Sequence, residues 1–316
     1  MDDAELDRLI LNSLPTFIAR NYKTLLEATS ARDRVALIAR VYDLWLRMLT
    51  ITLVSQYLVH DKDTISNPEL NALLKENFQG LTIDGWQAIF FKTLNVYKGN
   101  RDRFFIPELY DFYWNAADLP NDQHSDEPPG AMKEPFDRLT EETLKFAQNK
   151  TTAASEGEWG ELARELEGHL RRILRDMSFF AAYDLIRVLG SQQSPSTVER
   201  YKGTIVTTAE EALPEHISRM SGRFYLRARV HDYLSLHPLL IFWDNEPLER
   251  QELTAEVAVY HRLLAEQLMY LLSASGKIVE DQEYLRGFLN FLFGTINEYK
   301  AKSAKANHFR MLAMAS

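Results

Sequence analysis

The chain contains no cysteine. Disulfides, thiolate nucleophiles and cysteine-ligated zinc are therefore excluded, and a reducing cytoplasm is the expected setting. Glycine is sparse, thirteen scattered among 316 residues, and neither G-x-x-x-x-G-K-[ST] nor G-x-G-x-x-G is present to cradle a phosphate. The G-x-S-x-G elbow of a serine hydrolase is missing as well. Long apolar runs are also absent. The most apolar segment, "LWLRMLTITLVSQYLV" (residues 44–59), falls short of the roughly 20 residues a membrane helix needs and carries Arg47, Ser55 and Gln56. No membrane partner is expected. Positive charge is short too: the formal net charge is −9, and a general nucleic-acid coat needs concentrated Lys and Arg. The opening "MDDAELDRLI" is acidic and helical, without the basic and apolar regions of a secretory signal.

What is present is a globular composition, 46% hydrophobic and 26% charged, in a chain long enough for two domains. Helical periodicity runs through residues 6–27, 33–60 and 68–78, and a further helix is expected to begin near Trp86, after "LTIDGW". Arg40, Asp43, Arg47 and Thr50 form one polar stripe on an otherwise apolar cylinder. An acidic, proline-rich loop is expected at 119–135. Helical spacing resumes at 136–148 and again over about 159–189, where Leu162, Leu166, Leu170, Ile173, Met177 and Phe180 share a face. After "GSQQSPS" the pattern changes. "RFYLRARVH" alternates, with Phe224, Leu226, Ala228 and Val230 on one side and Arg223, Tyr225, Arg227, Arg229 and His231 on the other, as a half-buried strand does. "DYLSLHPLLIFWD" reads as a second strand with a bulge or edge position at Pro238. "AEVAVYHR" and "LAEQLMYLLSA" complete a small sheet, unless the latter is helical, and a last helix covers about 281–302. The expected fold is α+β and predominantly α: a helical bundle over 1–192, a smaller α+β domain over 193–300, and a basic tail over 301–316.

Several groups of residues have the composition of a site, and each has a plainer reading. The aromatics Phe104, Phe105, Tyr110, Phe112, Tyr113 and Trp114, with Arg101 and Arg103, have the make-up of a base-stacking surface. Large aromatics equally fill the core of a bundle, and the acidic balance favours that. His231, His237 and His261 fall in predicted strands, and three imidazoles can hold zinc. His231 and His237 share a face only if no bulge intervenes, so no metal or other cofactor is assigned. Arg164 and His169, in "RELEGH", have the spacing of a ribonuclease pair in which His moves protons and Arg stabilises charge. Such a match arises readily by chance. In a continuous helix five residues advance about 500°, leaving the pair about 140° apart unless Gly168 breaks the helix. The strand face of Arg223, Arg227, Arg229 and His231 suits an acidic partner segment or an added strand. The alternative is internal pairing with carboxylates such as Glu256.

The order of the pieces adds a resemblance. "LPTFIARNYKTLLEA", "LTIDGW", "RRILRDMSFFAAYDLIRVLG", "YLSLHPLLIFWD", "VYHRLLAEQLMYL" and "YLRGFLNFLF" together resemble an accessory module, with a HEPN-like bundle, of bacterial multidomain signalling and conflict proteins. The resemblance spans nearly the whole chain, and its motifs are mostly packing positions. In such modules the segment matching "LKFAQNKTTAAS" carries Arg-Asn and then His. Here Gln148 stands for the Arg, Asn149 is kept, and Ala153 or Ala154 replaces the His. Gln lacks a permanent charge and Ala moves no proton, so the resemblance implies a nuclease-like scaffold with a degenerate motif.

The expected function is therefore a non-enzymatic, regulatory protein-interaction component of a bacterial antiviral-defence or signalling system that docks an effector. A CRISPR-associated variant of this reading makes the chain the substrate or adaptor of a CRISPR-activated protease, cut at the 119–135 loop or the tail. A HEPN-type ribonuclease using Arg164 and His169, and a nucleic-acid-binding module using residues 101–114, are the rivals.

Overall fold

A computed structural model describes residues 1–61, 67–77, 81–114, 130–151, 153, 155–190, 195–228, 232–244, 256–264, 267–281 and 284–293. The fold is α+β and mostly α, with a helical N-terminal part followed by strands. Among the described residues, no helix is long and apolar enough to cross a membrane.

Helix α1 (Asp3–Ser13) starts at a capping box, in which Asp2 accepts from the Glu5 backbone and Glu5 returns the bond. Leu14 and Pro15 then break the expected single helix in two, and α2 covers Thr16–Glu27. A residue before proline is pushed to extended backbone, and Leu14 has φ −80° and ψ 164°. The central helix α3 (Ala31–Gln56) is capped by Ser30 and continues into a π-helical turn, Tyr57–Asp61. Around it pack α2, α5 (Ile83–Val96), α7 (Gly130–Ala147) and α8 (Glu156–Asp176), while α4 (Pro68–Asn77) lies on α5 and α6 (Pro107–Trp114) follows a short 3-10 turn. Two further expectations fail here. The predicted loop at 119–135 ends early, because α7 begins at Gly130 and buries Pro135 in its second turn. The predicted helix to residue 189 ends at Asp176: a 3-10 turn follows, and Asp184–Gly190 is strand β1. Leu185 faces the main core, whereas Ile186 and Val188 face a second cluster. A segment buried on both faces reads as a continuous apolar run, which periodicity does not separate from a helix.

The strands form two antiparallel sheets. The first has the order β3-β2-β1-β4-β5, with β2 Ser196–Lys202, β3 Ile205–Glu211, β4 Phe224–Arg227 and β5 Tyr233–Ser235. The second has the order β6-β7-β8-β9, with β6 Leu240–Trp243, β7 Glu256–Leu264, β8 Gln267–Leu272 and β9 Ile278–Asp281. The predicted strand "DYLSLHPLLIFWD" is thus two strands in different sheets, separated by the His237–Pro238 turn. "LAEQLMYLLSA" is strand in β8, and the last helix, α10, is described over Leu285–Phe293. The expected division near residue 192 falls just after β1, the middle strand of the first sheet. One cluster of buried side chains runs from Leu6 in α1 through both sheets to Leu292 in α10.

The β2–β3 hairpin is fastened to the α1–α2 corner. Gly203, at φ +63°, heads its two-residue turn, and Gly203 N–H donates to the Leu14 carbonyl at 2.8 Å. Thr204 N–H donates to the Leu11 carbonyl at 3.0 Å. Carbonyls left over at the end of α1 are satisfied this way.

Candidate functional site

A cleft of about 620 Å³ opens where the helices meet the first sheet. One wall is Arg103–Phe105, Pro107 and Glu108, ahead of and within α6, and the other is Ala228, Asp232 and Tyr233 around β4 and β5. The buried Tyr183 lies between them, and the exposed Ala182 and His216, the latter in the short helix α9 (Glu215–Ser218), lie at the rim. The first wall is held by the buried side chain of Gln56, at the end of α3. Its Nε2 donates to the Arg103 carbonyl at 2.5 Å, and its Oε1 accepts from Phe105 N–H at 2.9 Å. The Tyr183 hydroxyl donates to Glu108 at 2.7 Å, and the rings of Phe105 and Tyr183 sit 6.2 Å apart. The result is a preformed concavity with aromatic walls and charged groups, Arg103 and Asp232, at its exposed edge. Its size falls within the roughly 300–1,000 Å³ of ordinary ligand sites. No sequence motif marked it, since its walls come from five separate segments.

The basic strand face is occupied by the protein itself. Phe224 and Leu226 point to the main core and Tyr225 and Arg227 to the opposite side, as the alternation predicts. That opposite side is covered, however. Ile217 of α9 packs with Ile186, Val188, Val198 and Tyr225 in a second apolar cluster. Arg227, 13% exposed, donates to Asp184 at 2.8 Å and to Glu211. Lys202 and Arg200 reach the same two carboxylates, Lys202 to Asp184 at 2.8 Å and Arg200 to Glu211 at 3.0 Å. Burial alone would raise the Asp184 pKa, but the bonds from Arg227 and Lys202 outweigh it and hold the carboxyl below its usual range. Arg223 acts on Tyr225, partly offsetting the burial that raises the pKa of its hydroxyl. Arg229 and His231 lie outside the described residues, as does the 301–316 tail. Glu256, the carboxylate expected opposite this face, belongs to the second sheet and accepts from Ala274 N–H and Ser275 N–H.

Arg164 and His169 are not brought together. Helix α8 continues through Gly168, so Arg164 is exposed on one side, while His169 lies 4.0 Å from Glu165 on another. Gln148 and Asn149 end α7. Asn149 takes a left-handed φ of +54°. Its N–H donates to Phe146 at 3.0 Å, and Lys150 N–H reaches back to Lys145 at 2.8 Å. This is a Schellman cap, for which asparagine is a favoured substitute for glycine. Ala153 follows in the link to α8, and Ala154 lies outside the described residues.

Of the three imidazoles, His231 lies outside the described residues, and His237 and His261 are both largely buried. His237 packs edge-on against Tyr284 at 5.1 Å, and burial, aided by Arg223, lowers its pKa to about 4. Burial, aided by Arg47 and Arg262, does the same to His261, also to about 4. Among the described residues, no three His, Asp or Glu side chains are grouped to hold a metal ion. The aromatics of 104–114 pack inward: Phe104 and Tyr113 are buried, and Phe105, Tyr110, Phe112 and Trp114 lie against the same core. Arg101 is paired with Asp111 at 2.7 Å and 2.5 Å.

Fold and site thus define a mostly helical α+β protein with a preformed cleft between its helices and its first sheet. Compared with protein-family models, curated proteins and solved structures, the chain matches none.

Proposed function

We propose that this chain is a non-enzymatic protein-interaction or regulatory component of a bacterial defence or signalling system, and that it docks an effector or other partner protein in the cytoplasm. The observation that carries the reading is the cleft braced by Gln56. Its aromatic walls are fixed before anything binds, so a partner side chain entering it loses little to reorganisation. Aromatic walls rimmed by Arg are a recurrent make-up of protein-binding centres. The order of sequence blocks, which resembles an accessory module of conflict proteins, supports the setting.

Plugging the cleft tests this. Ala228→Arg places a long side chain at a partly exposed wall position. Affinity capture from the source cells with the wild-type chain is expected to retain a partner that the Ala228→Arg chain loses at an unchanged melting temperature. Capture indifferent to the plug would reject the cleft. Hydrolysis of labelled RNA without divalent metal, abolished in His169→Ala, would replace the reading with a ribonuclease.

A further inference from the structure

The outer edge of β3 is the second unusual surface. In the hairpin Lys202 pairs with Ile205 across a two-residue turn, and the register holds through seven pairs to Ser196–Glu211 without a shift. The closing pair of such a turn exchanges its hydrogen bonds, and the alternation that follows turns the N–H and C=O groups of Val206, Thr208 and Glu210 away from β2. The adjoining Thr204 fits this alternation: its N–H goes to Leu11 and its carbonyl accepts from Arg20 Nε at 3.0 Å. Among the described residues, no strand pairs with this edge. Edge strands are ordinarily blunted by charged side chains, Pro or a bulge; β3, "IVTTAEE", has no Pro and no bulge, and its charges, Glu210 and Glu211, stand only at its far end. Residues 207–210 are exposed, and Ile205 is 63% exposed.

A pocket of about 260 Å³ lies beside this edge, lined in part by Thr16, Arg20, Glu199, Val206, Phe242 and Glu256. It is below the size of ordinary small-molecule sites and suits one side chain. Its two carboxylates share the lining with Arg20, whose Nε is engaged by the Thr204 carbonyl, and Arg40 also acts on Glu256; the two acids differ in how they are held. Glu199 accepts from Arg187 at 3.1 Å and from the Tyr201 hydroxyl at 2.8 Å. Glu256 is 8% exposed and is held by backbone N–H groups of Ala274 and Ser275. Val206 belongs to both the edge and the pocket.

We infer that β3 receives an extended peptide segment of a partner protein as a sixth strand, with one Lys or Arg side chain of that segment entering the pocket towards Glu199 and Glu256. Main-chain bonds to Val206, Thr208 and Glu210 supply affinity, and the pocket reads one of the alternate side chains that face it, which gives specificity. The exposed acidic Glu210 at the far end of the edge favours the same basic segment. This rests on the interaction reading above but uses a surface separate from the cleft.

The test is selection of a displayed library of random nine-residue peptides against the full chain. Enriched peptides are expected to be rich in Val, Ile and Thr with a Lys or Arg at a fixed position. Thr208→Pro removes an outward donor while leaving the β2 ladder intact, as proline is tolerated on an edge, and should weaken binding roughly tenfold or more. Thr208→Ala should bind as the wild type does. Glu256→Gln should weaken binding on the order of tenfold and erase the preference for a basic residue. Enrichment of acidic or helical peptides, binding that ignores Thr208→Pro, or no enrichment would overturn the assignment. So would a concentration-dependent dimer dissolved by Thr208→Pro, since a second copy would then own the edge. Because Ala228→Arg leaves β3 untouched, peptide binding that survives that plug while partner capture ignores it would reject the cleft and keep the strand site.

Discussion

The guanidinium of Arg47 lies over the indole of Trp86, 5.0 Å from the ring centroid. Its Nε donates to Asp43 at 2.8 Å and its Nη1 to the Tyr260 carbonyl at 3.0 Å, so one side chain ties α3 to α5 and to β7. Arg47 is 4% exposed. Arg47→Ala strands Asp43 and a buried carbonyl, and is expected to cost about 3–5 kcal/mol. Arg47→Lys should recover only part of this, because an ammonium lacks the planar fork. Denaturant midpoints of the two variants measure both, and a loss under about 1 kcal/mol for Arg47→Ala would contradict the ion pair as a buried fastening.

The hairpin tip sets a second expectation. A Cβ at position 203 would lie 2.7 Å from the Leu11 carbonyl oxygen and 2.8 Å from that of Asn12, at a backbone angle of +63°. Both the angle and the backbone contacts oppose any side chain. Gly203→Ala should cost at least about 1–3 kcal/mol, seen as a lower melting temperature, and Gly222→Ala gives a comparison at positive φ in open space.

Asn149 distinguishes a helix cap from the remnant of a catalytic motif. As a left-handed cap, Asn149→Gly should leave stability the same or slightly raised, whereas Asn149→Val should lose about 1 kcal/mol or more. Thermal unfolding of the pair decides. Equal destabilisation by both would mean that the amide side chain, rather than the backbone angle, is what position 149 requires.

Acid should weaken the fold before the carboxylates titrate. His237 and His261 have folded pKa values of about 4, below the ordinary 6.5. Between those values the unfolded chain binds more protons than the folded one, so their contribution is whole above about pH 6.5 and lost as pH falls towards 4. Asp184, held below its usual 3.8, gives way only at still lower pH. His261→Gln should flatten the slope of stability between pH 6.5 and 4 when unfolding free energy is followed by denaturant titration. An unchanged slope in both His261→Gln and His237→Gln would contradict the burial of these rings as neutral groups.

The helical half was largely legible because its signals are local. The break at Leu14–Pro15 carried one, proline's demand on its predecessor, which the longer periodicity overrode. The stripe of Arg40, Asp43, Arg47 and Thr50 was visible in the spacing, but what it faces was not. Arg40 donates to the Ser273 and Ala274 carbonyls, and Arg47 to Tyr260, at sequence separations above 200 residues. Strand β1 went unread because it is buried on both faces. The β2–β3 hairpin did leave a mark, a two-residue turn with Gly first between β-branched runs. The alternation at 223–228 was read with the right parity, yet which side is wet depends on α9, a four-residue helix with no periodicity of its own. The cleft had no linear signature at all.

The placing of β1 bears on what happens to shortened forms of the chain. A polypeptide stopped near residue 192 would retain Asp184–Gly190 but neither of its ladder partners, β2 and β4. Two bare edges on a strand bearing Leu185, Ile186 and Val188 are a template for intermolecular stacking. Premature termination there would therefore yield an insoluble product rather than a free helical half.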